Sequence, residues 1–372
     1  MTHRRKTRRI KVGNLAIGGG APVSVQSMTK TDTRDIAATV RQIRELEEAG
    51  CDLIRVAVVD RKAACSIRQI KAKIRIPLVA DIHFHYDLAI EAIKSGADKI
   101  RLNPGNIRDT SDIAHVIRLA KKSKIPIRIG VNSGSVIHKG GGEREKIVTA
   151  AVMVEAALGY IKLFESMAFN DIIVSLKASD VMTTIEAYRK MAAACDYPFH
   201  VGVTAAGPSR IGLIKSSVGI GALLAEGIGD TIRVSLTGDP RDEVAAAKEI
   251  LRSLGLRRFG IDIISCPTCG RCEVDLVKVV NSFSKKLSVM YPSGTTLVSR
   301  GSPRGDSHPL IRPLTVAIMG CVVNGPGEAR EADIGIAAGK KTGMLFKKGA
   351  MIRKIKESDF VKVLLAEIKH LL

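Results

Sequence analysis

"PLVADIHFHYDLAIEAIKSGADKIRLNP", residues 77–104, holds the unit from which this chain is built. An apolar run (77–84) passes into a helical pattern, and a second apolar run (99–104) follows it. Two strands joined through one helix pair in parallel, so the unit predicts a parallel sheet. Both runs finish on polar groups: Asp81 and His83 in the first, Arg101 and Asn103 in the second.

The unit recurs on both sides. Similar runs are "APVSVQSM" (21–28), "LIRVAV" (53–58), "PIRIGVNS" (126–133), "DIIVSLKAS" (171–179), "FHVGVTAAG" (199–207) and "TIRVSLTG" (231–238). Each is followed by a helical pattern, as in "RDIAATVRQIRELEEAG" (34–50), whose last glycine suits a helix C-cap. With the two opening runs, the repeat predicts a (β/α)8 barrel over residues 1–258; a doubly wound open sheet is the competing arrangement. Past residue 260 the texture changes to a strand, a cysteine loop, a helix and a strand ending in a Gly-rich turn. Residues 259–372 are therefore read as a small α/β domain. Within it, residues 291–313, rich in Gly, Pro and Ser, read as a loop, with Arg300, Arg304 and His308 either solvated or in contact with a partner, the first reading preferred.

The totals narrow the class. The chain has 372 residues and no Trp, so its core must be aliphatic, which suits buried parallel strands. The basic start, "MTHRRKTRRIKVGN", has no apolar run behind it and reads as neither signal peptide nor membrane anchor. A cytoplasmic protein with no membrane partner is expected, its cysteines reduced, metal-bound or catalytic. A net charge of +21 points to a solvated basic surface or to an anionic partner. Single-strand nucleic-acid binders interleave aromatics with their cations, and aromatics are only 3% here, so a small anion is preferred to nucleic acid.

In a (β/α)8 barrel the active site lies at the carboxyl ends of the strands. Here those ends carry Arg55, Asp81, His83, Arg101, Asn103, Arg128, Asn132, Lys177, Arg233 and Ser235. An Arg within an apolar strand is costly unless its charge is paired or meets a ligand. Several Arg and one Lys gathered on one rim suit a phosphate or diphosphate. Taken singly, Arg55 has a plainer reading as an ion pair with Asp81 or Asp52, and Asp81 with His83 as a core pair.

Cys266, Cys269 and Cys272 follow one another at two-residue gaps, and Cys321 lies in "GCVVNGPGEA" (320–329). Four thiolates would hold a structural zinc; three would hold an iron–sulfur cluster with one iron differently ligated. The ferredoxin run continues to a near fourth Cys, which this chain lacks, and spacing leaves both metals open. Glu328 is a further ligand candidate or a neighbour of a helix N-cap. Cys51, Cys65 and Cys195 are expected to be buried free thiols.

The motifs "APVSVQSM", "VADIHF", "IRLNPGNI", "IRIGVNSGS", "VSLKASD", "KSSVGIG", "EGIGDTIRVSL", "CPTCGR" and "GCVVNGPGEA" stand in this order from about residue 8 to about residue 345. Together they resemble the 4-hydroxy-3-methylbut-2-enyl diphosphate synthases of the flavodoxin/ferredoxin type, from the methylerythritol phosphate route to isoprenoids. The resemblance implies a barrel followed by a cluster domain. It implies a 4Fe–4S cluster on Cys266, Cys269, Cys321 and Glu328, with Cys272 a neighbour. It implies reductive ring opening of 2-C-methyl-D-erythritol 2,4-cyclodiphosphate, with electrons from reduced flavodoxin or ferredoxin. Arg55, Arg101, Asn103, Arg128, Asn132, Lys177, Arg233 and Ser235 match the family's diphosphate-binding positions, and Asp81 and His83 its polar wall. A homodimer is implied as well, the cluster domain of each subunit closing over its partner's barrel.

One position departs from the pattern. The family's strand-seven motif has Glu where "VTAAGPSR" (203–210) has Ala205, so an acid/base position is vacant. Three explanations stand: an engineered variant, a branch in which His83, Asp81 or a water takes the role, and a homologue of weak or altered activity. Two other classes of protein remain: a barrel enzyme for another phosphorylated substrate with a structural metal in the tail, and a basic RNA-binding protein with a zinc module.

Overall fold

The computed structural model describes residues 3–82, 85–103, 110–135, 149–291 and 314–372. His83, Arg300, Arg304 and His308 lie outside the described residues. The chain divides into two compact units, Met1–Arg257 and Arg258–Leu372.

The first unit begins with a hairpin, β1 (Ile10–Val12) and β2 (Leu15–Ile17). A β/α alternation follows: β3 (Ser24–Met28), α1 (Ile36–Glu48), β4 (Leu53–Val58), α2 (Arg61–Lys71), β5 (Leu78–Ile82), α3 (Tyr86–Lys94), β6 (Lys99–Leu102) and α4 (Thr110–Ser123). It continues through β7 (Ile127–Asn132), α5 (Ala150–Ser166), β8 (Ile172–Lys177), α6 (Val181–Ala194), β9 (His200–Val201), α7 (Ser209–Ala225), β10 (Thr231–Ile232) and α8 (Pro240–Ser253). Strands β3 to β10 form one parallel sheet, ordered β8-β7-β6-β5-β4-β3-β10-β9, and a parallel bridge between Val174 and Phe199 joins its ends. The expected barrel is present, closed most weakly where β9 and β10 keep two residues each.

Several helices start on an aspartate. Asp35, Asp60 and Asp180 each accept an N–H of the first turn (Ala38, Ala63 and Thr183), and Asp239 accepts that of Arg241. Each such cap is worth about 1 kcal/mol.

The basic start of the chain is built structure. Ile10, Val12 and Ile17 of the hairpin pack on Leu53, Val79 and Ile173 near the amino ends of the barrel strands. Before them, residues 4–8 run past the weak end of the barrel. Arg5 N–H donates to Gly227 O (3.0 Å) and Arg8 N–H to Asp196 O (2.9 Å). The Arg5 guanidinium lies 4.0 Å from the Phe199 ring centre, and Arg4 pairs with Asp230 at 3.0 Å.

The second unit has a five-stranded sheet, with elements β11 (Ile261–Ser265), α9 (Leu276–Met290), β12 (Leu314–Met319), α10 (Gly325–Glu331), β13 (Ile334–Gly339), β14 (Thr342–Lys347), β15 (Ala350–Lys356) and α11 (Phe360–Leu371). β11, β12 and β13 are parallel; β14 and β15 extend the sheet antiparallel. Alternation places Val316, Ile318, Ile334 and Ile336 against α9 and α11. It places Ala317, Met319 and Ala337 against α10. The sequence reading missed β13 to β15; β13 is a short apolar run, "IGIAAG" (334–339), that went unread, while β14 lies in the polar, Gly-rich stretch "GKKTGMLFKKGA" (339–350).

One thiol departs from expectation. Cys51 is buried and Cys195 half-buried, but Cys65 is exposed. α2 buries Ala63, Ala64, Ile67 and Ile70, and this face turns Cys65 outward toward Glu91 Oε1 of α3 (3.6 Å).

Candidate functional site

Each unit carries polar chemistry at the carboxyl ends of its parallel strands. In the barrel the ladder sets which side chains share a face. Asp81 pairs with Arg101 in register, and Arg101 with Arg128. All three residues are 5% exposed or less. Asp81 ties two cations: Arg101 Nη1 donates to its Oδ1 (3.1 Å), and Arg55 Nε stands 3.6 Å from its Oδ2. Of the two partners weighed for Arg55 the structure selects Asp81, while Asp52 pairs with Arg257 at 2.5 Å. Room for these long side chains comes from glycine. A Cβ on Gly130 would meet Arg101 Nε at 2.5 Å, and one on Gly202 would meet Lys177 Nζ at 2.7 Å.

Two cations of the set are not neutralised in this way. Arg128 is 1% exposed, and its Nε and Nη1 have no hydrogen-bond partner. Burial, and repulsion from Arg55 and Arg101, hold its pKa well below the usual arginine value. Lys177 is buried with no carboxylate in salt-bridge reach among the described residues; burial and the nearby Arg128 push its pKa well down too. Asn103 is buried on the same face as Arg101; Asn132 ends β7, shares a face with Arg128 and is half-buried.

Arg233 and Ser235 were read as part of the eighth strand. β10 stops at Ile232, and only the Arg233 N–H still joins the ladder, donating to Val201 O at 3.0 Å. Beyond it the backbone bonds elsewhere, the Leu236 N–H going to Glu243 Oε1 at 3.1 Å. The strand-seven run likewise shrinks to His200–Val201, and Ala205 stands exposed in the following loop with φ +49°. A side chain in the left-handed region is strained, and such strain gathers at functional loops.

Sequence reasoning missed other groups in the barrel. Lys99 and His200 are 0% exposed, and Lys99 Nζ and His200 Nε2 have no hydrogen-bond partner. Parity could have found Lys99, two residues before Arg101 on one face. Glu243, 2% exposed in the first turn of α8, lies 3.8 Å from Arg233 and 3.5 Å from Lys30. No local pattern marks it: it meets Leu236 and Arg233 where the chain folds back after β10, and Lys30 comes from a distant stretch.

In the second unit a pocket of about 380 Å³ is lined by Cys266, Cys269, Cys272, Cys321, Arg271 and Glu328, among others. Cys266 directly follows β11, and Cys321 follows β12 after one glycine. Ligands of open α/β sheets sit at this carboxyl edge. The turn between Cys266 and Cys269 passes through Thr268 at φ +57°. Gly320 lets the thiols come close: a Cβ there would lie 2.4 Å from Cys272 Sγ and 3.5 Å from Cys266 Sγ. Two thiols are poised toward thiolate. The Asn324 and Val323 N–H groups lower the pKa of Cys321, and the Arg271 N–H and guanidinium lower that of Cys269. Cys272 Sγ donates instead to Val274 O at 3.2 Å.

The four residues expected to hold a cluster thus line one pocket. Among the described residues, however, no three His, Cys, Asp or Glu side chains are drawn together as a ready metal-ligand set. The donor chemistry still fits an iron–sulfur group: soft thiolates at the carboxyl edge of parallel strands, and a side-chain-free Gly320 between them. Lining alone does not choose between Glu328 and Cys272 as the fourth donor, since both face the pocket.

Comparison with known proteins agrees with this arrangement. The GcpE TIM-barrel domain matches residues 7–248, and the GcpE protein C-terminal domain matches residues 262–370. The 4-hydroxy-3-methylbut-2-en-1-yl diphosphate synthase (flavodoxin) of Ruminiclostridium cellulolyticum is 53% identical over 372 residues, covering 99% of this chain and 98% of that protein. The protein of the same name from Thermodesulfovibrio yellowstonii is 53% identical over 369 residues, covering 99% and 100%. That from Geobacter sulfurreducens is 49% identical over 367 residues, covering 99% and 98%. The chain, over both of its units, belongs to the GcpE family of 4-hydroxy-3-methylbut-2-en-1-yl diphosphate synthases.

Proposed function

We propose that this chain is the oxidoreductase that opens the ring of 2-C-methyl-D-erythritol 2,4-cyclodiphosphate to give (E)-4-hydroxy-3-methylbut-2-enyl diphosphate, an isoprenoid precursor. Two electrons and two protons enter and one water leaves. The observation that carries the reading is the buried cationic wall of the barrel, above all Arg128, whose guanidinium has buried N–H groups without a partner. A diphosphate supplies the missing acceptors and charge. Membership of the family supplies the reaction.

In this reading the barrel is the substrate-binding domain and residues 259–372 the cluster domain. Arg55, Arg101, Arg128, Lys177 and Arg233 hold the diphosphate, with Asn103, Asn132 and Ser235 adding hydrogen bonds. Asp81 keeps Arg55 and Arg101 aimed at the site and with His83 forms its polar wall. Cys266, Cys269, Cys321 and Glu328 would hold a 4Fe–4S cluster, which when bound supplies electrons singly and an iron that attracts the substrate oxygen. Cys272 stays outside the ligand set, its thiol turned to Val274 O. A homodimer in a cytoplasmic setting, with reduced flavodoxin as electron donor and ferredoxin as the second candidate, completes the reading. No helix among the described residues is long and apolar enough to cross a membrane.

At position 205 we propose that a water does the work of the absent carboxyl. Ala205 is exposed, so solvent reaches the place the carboxyl would fill. The chain then turns over, more slowly than relatives with Glu at this position.

The test is anaerobic reconstitution with iron and sulfide measured on the same sample, then the cyclic diphosphate with a one-electron reductant. The linear diphosphate is the expected product. Stoichiometric zinc without sulfide, and no product, overturns the proposal and returns the structural-metal alternative.

A further inference from the structure

Residues 233–239 carry Arg233 and Ser235, yet beyond Arg233 the only strand pairing that holds them among the described residues is an isolated parallel bridge between Thr237 and Pro208. Two side chains hold them as well, one from the start of the helix that follows and one from the far end of the barrel sequence. Glu243 accepts the Leu236 N–H through Oε1 at 3.1 Å. Lys30, two residues past the end of β3, donates from Nζ to Leu236 O at 3.1 Å and also to Gly238 O. Leu236 is thus gripped at both its N–H and its C=O. The two gripping charges meet each other as well, Lys30 Nζ standing 3.5 Å from Glu243 Oε1. The other oxygen of Glu243 faces Arg233 Nη2 at 3.8 Å and accepts from Ser27 Oγ at 3.5 Å.

The gripped segment steadies its neighbour in turn. Thr237 N–H donates to Gly207 O, and Ser209 Oγ to Thr237 O, each at 3.3 Å. These bonds tie it to the loop that carries Ala205. Neither Lys30 nor Glu243 belongs to the set placed on the diphosphate. Glu243 is 2% exposed, and a carboxylate buried this deeply is retained only with paired charge around it.

We propose that Lys30 and Glu243 form a clasp that positions Arg233 and Ser235 for the diphosphate, and through Thr237 the loop of Ala205. This rests on the diphosphate reading of the barrel. The clasp acts through other residues: without it the rim segment shifts, and small displacements of binding groups are costly to recognition.

The experiment uses the full chain, anaerobically reconstituted, with the variants K30M, E243Q and K30R. Steady-state turnover of the cyclic diphosphate is measured beside the Kd for inorganic pyrophosphate and the iron content. K30M and E243Q are expected to raise KM and the pyrophosphate Kd about tenfold and, through the loop of Ala205, to lower kcat by a smaller factor, with iron nearly unchanged. K30R is expected to recover most of the loss. Lys30 has a partly exposed side chain, so K30M decides the matter even if E243Q does not fold. Variants that melt earlier but keep wild-type KM and Kd overturn the clasp and leave a structural ion pair. A wild-type chain that neither turns over nor binds pyrophosphate overturns the diphosphate reading, and the clasp's role with it.

Discussion

The barrel rim and the cysteine pocket solve the same problem, gathering costly side chains, by opposite means. The rim groups sit on strands. Register puts Asp81, Arg101 and Arg128 side by side, and burial holds them there without a ligand. The pocket groups sit on turns: Cys269 is exposed, Cys266 and Cys272 are half-buried, Cys321 is buried, and among the described residues no three His, Cys, Asp or Glu side chains are drawn together. Strand-borne charge is preorganised at a cost in stability. Loop-borne thiols cost little when empty and rely on the metal for their final order.

The largest effect that sharpens this contrast is expected from C321S. Loss of a soft donor from a loop-built pocket is expected to abolish cluster retention and turnover while the sheet folds. Iron and sulfide analysis beside circular dichroism checks it; full iron with normal turnover removes Cys321 from the ligand set.

R128M is expected to lower kcat/KM about a hundredfold, because the phosphate group it met is left unpaired. The same change is expected to stabilise the ligand-free protein by about 1–3 kcal/mol, since a buried guanidinium with orphaned N–H groups gives way to an apolar side chain of similar length. Thermal unfolding reads the second half, and a lower Tm breaks the claim that rim charge is stored at a cost.

A205E is expected to raise kcat about tenfold, a modest general acid/base contribution returned to its place. An unchanged rate means that another group carries the proton here.

The rim also predicts acid sensitivity. Burial, then Lys177 and Arg128, hold the His200 pKa well below its ordinary value of 6.5. Below pH 6.5 the unfolded chain takes up a proton that the folded chain refuses. Stability therefore falls with pH, by up to about 1.4 kcal/mol per unit from this residue. Denaturant titrations at pH 7.5 and 5.5 are expected to show a smaller loss for H200N than for wild type, and equal losses refute the assignment to His200.

The smallest effect belongs to C272S. If Cys272 is only a neighbour, cluster content and turnover stay within about twofold of wild type. Loss of iron would move Cys272 into the ligand set and Glu328 out.

Much of the fold was legible because its signals are local. The run "LIRVAV" became β4 residue for residue, since alternating β-branched residues between turns have few other outcomes. β14 was illegible for the converse reason: "GKKTGMLFKKGA" is polar and Gly-rich and becomes strand only by pairing between β13 and β15. The strap at residues 4–8 was hidden likewise, its arginines indistinguishable from surface charge until Phe199 and Asp230 are beside them. Among site residues, polar groups on strands were found by their contrast with apolar neighbours. Lys99 and His200 were overlooked although parity marks the first, and Glu243 carried no signal.

By itself the sequence determined the barrel, the cationic rim, the cysteine loops and, through its ordered motifs, the family. Hydrophobic period and residue chemistry are properties of short stretches, and they survive without coordinates. Tertiary structure alone decided that Asp81 rather than Asp52 partners Arg55, that Arg128 keeps buried N–H groups without partners, and that Lys30 and Glu243 grip Leu236. Each depends on which segments the folded chain brings within about 4 Å, the reach of an ion pair or hydrogen bond. No period along the chain encodes that distance.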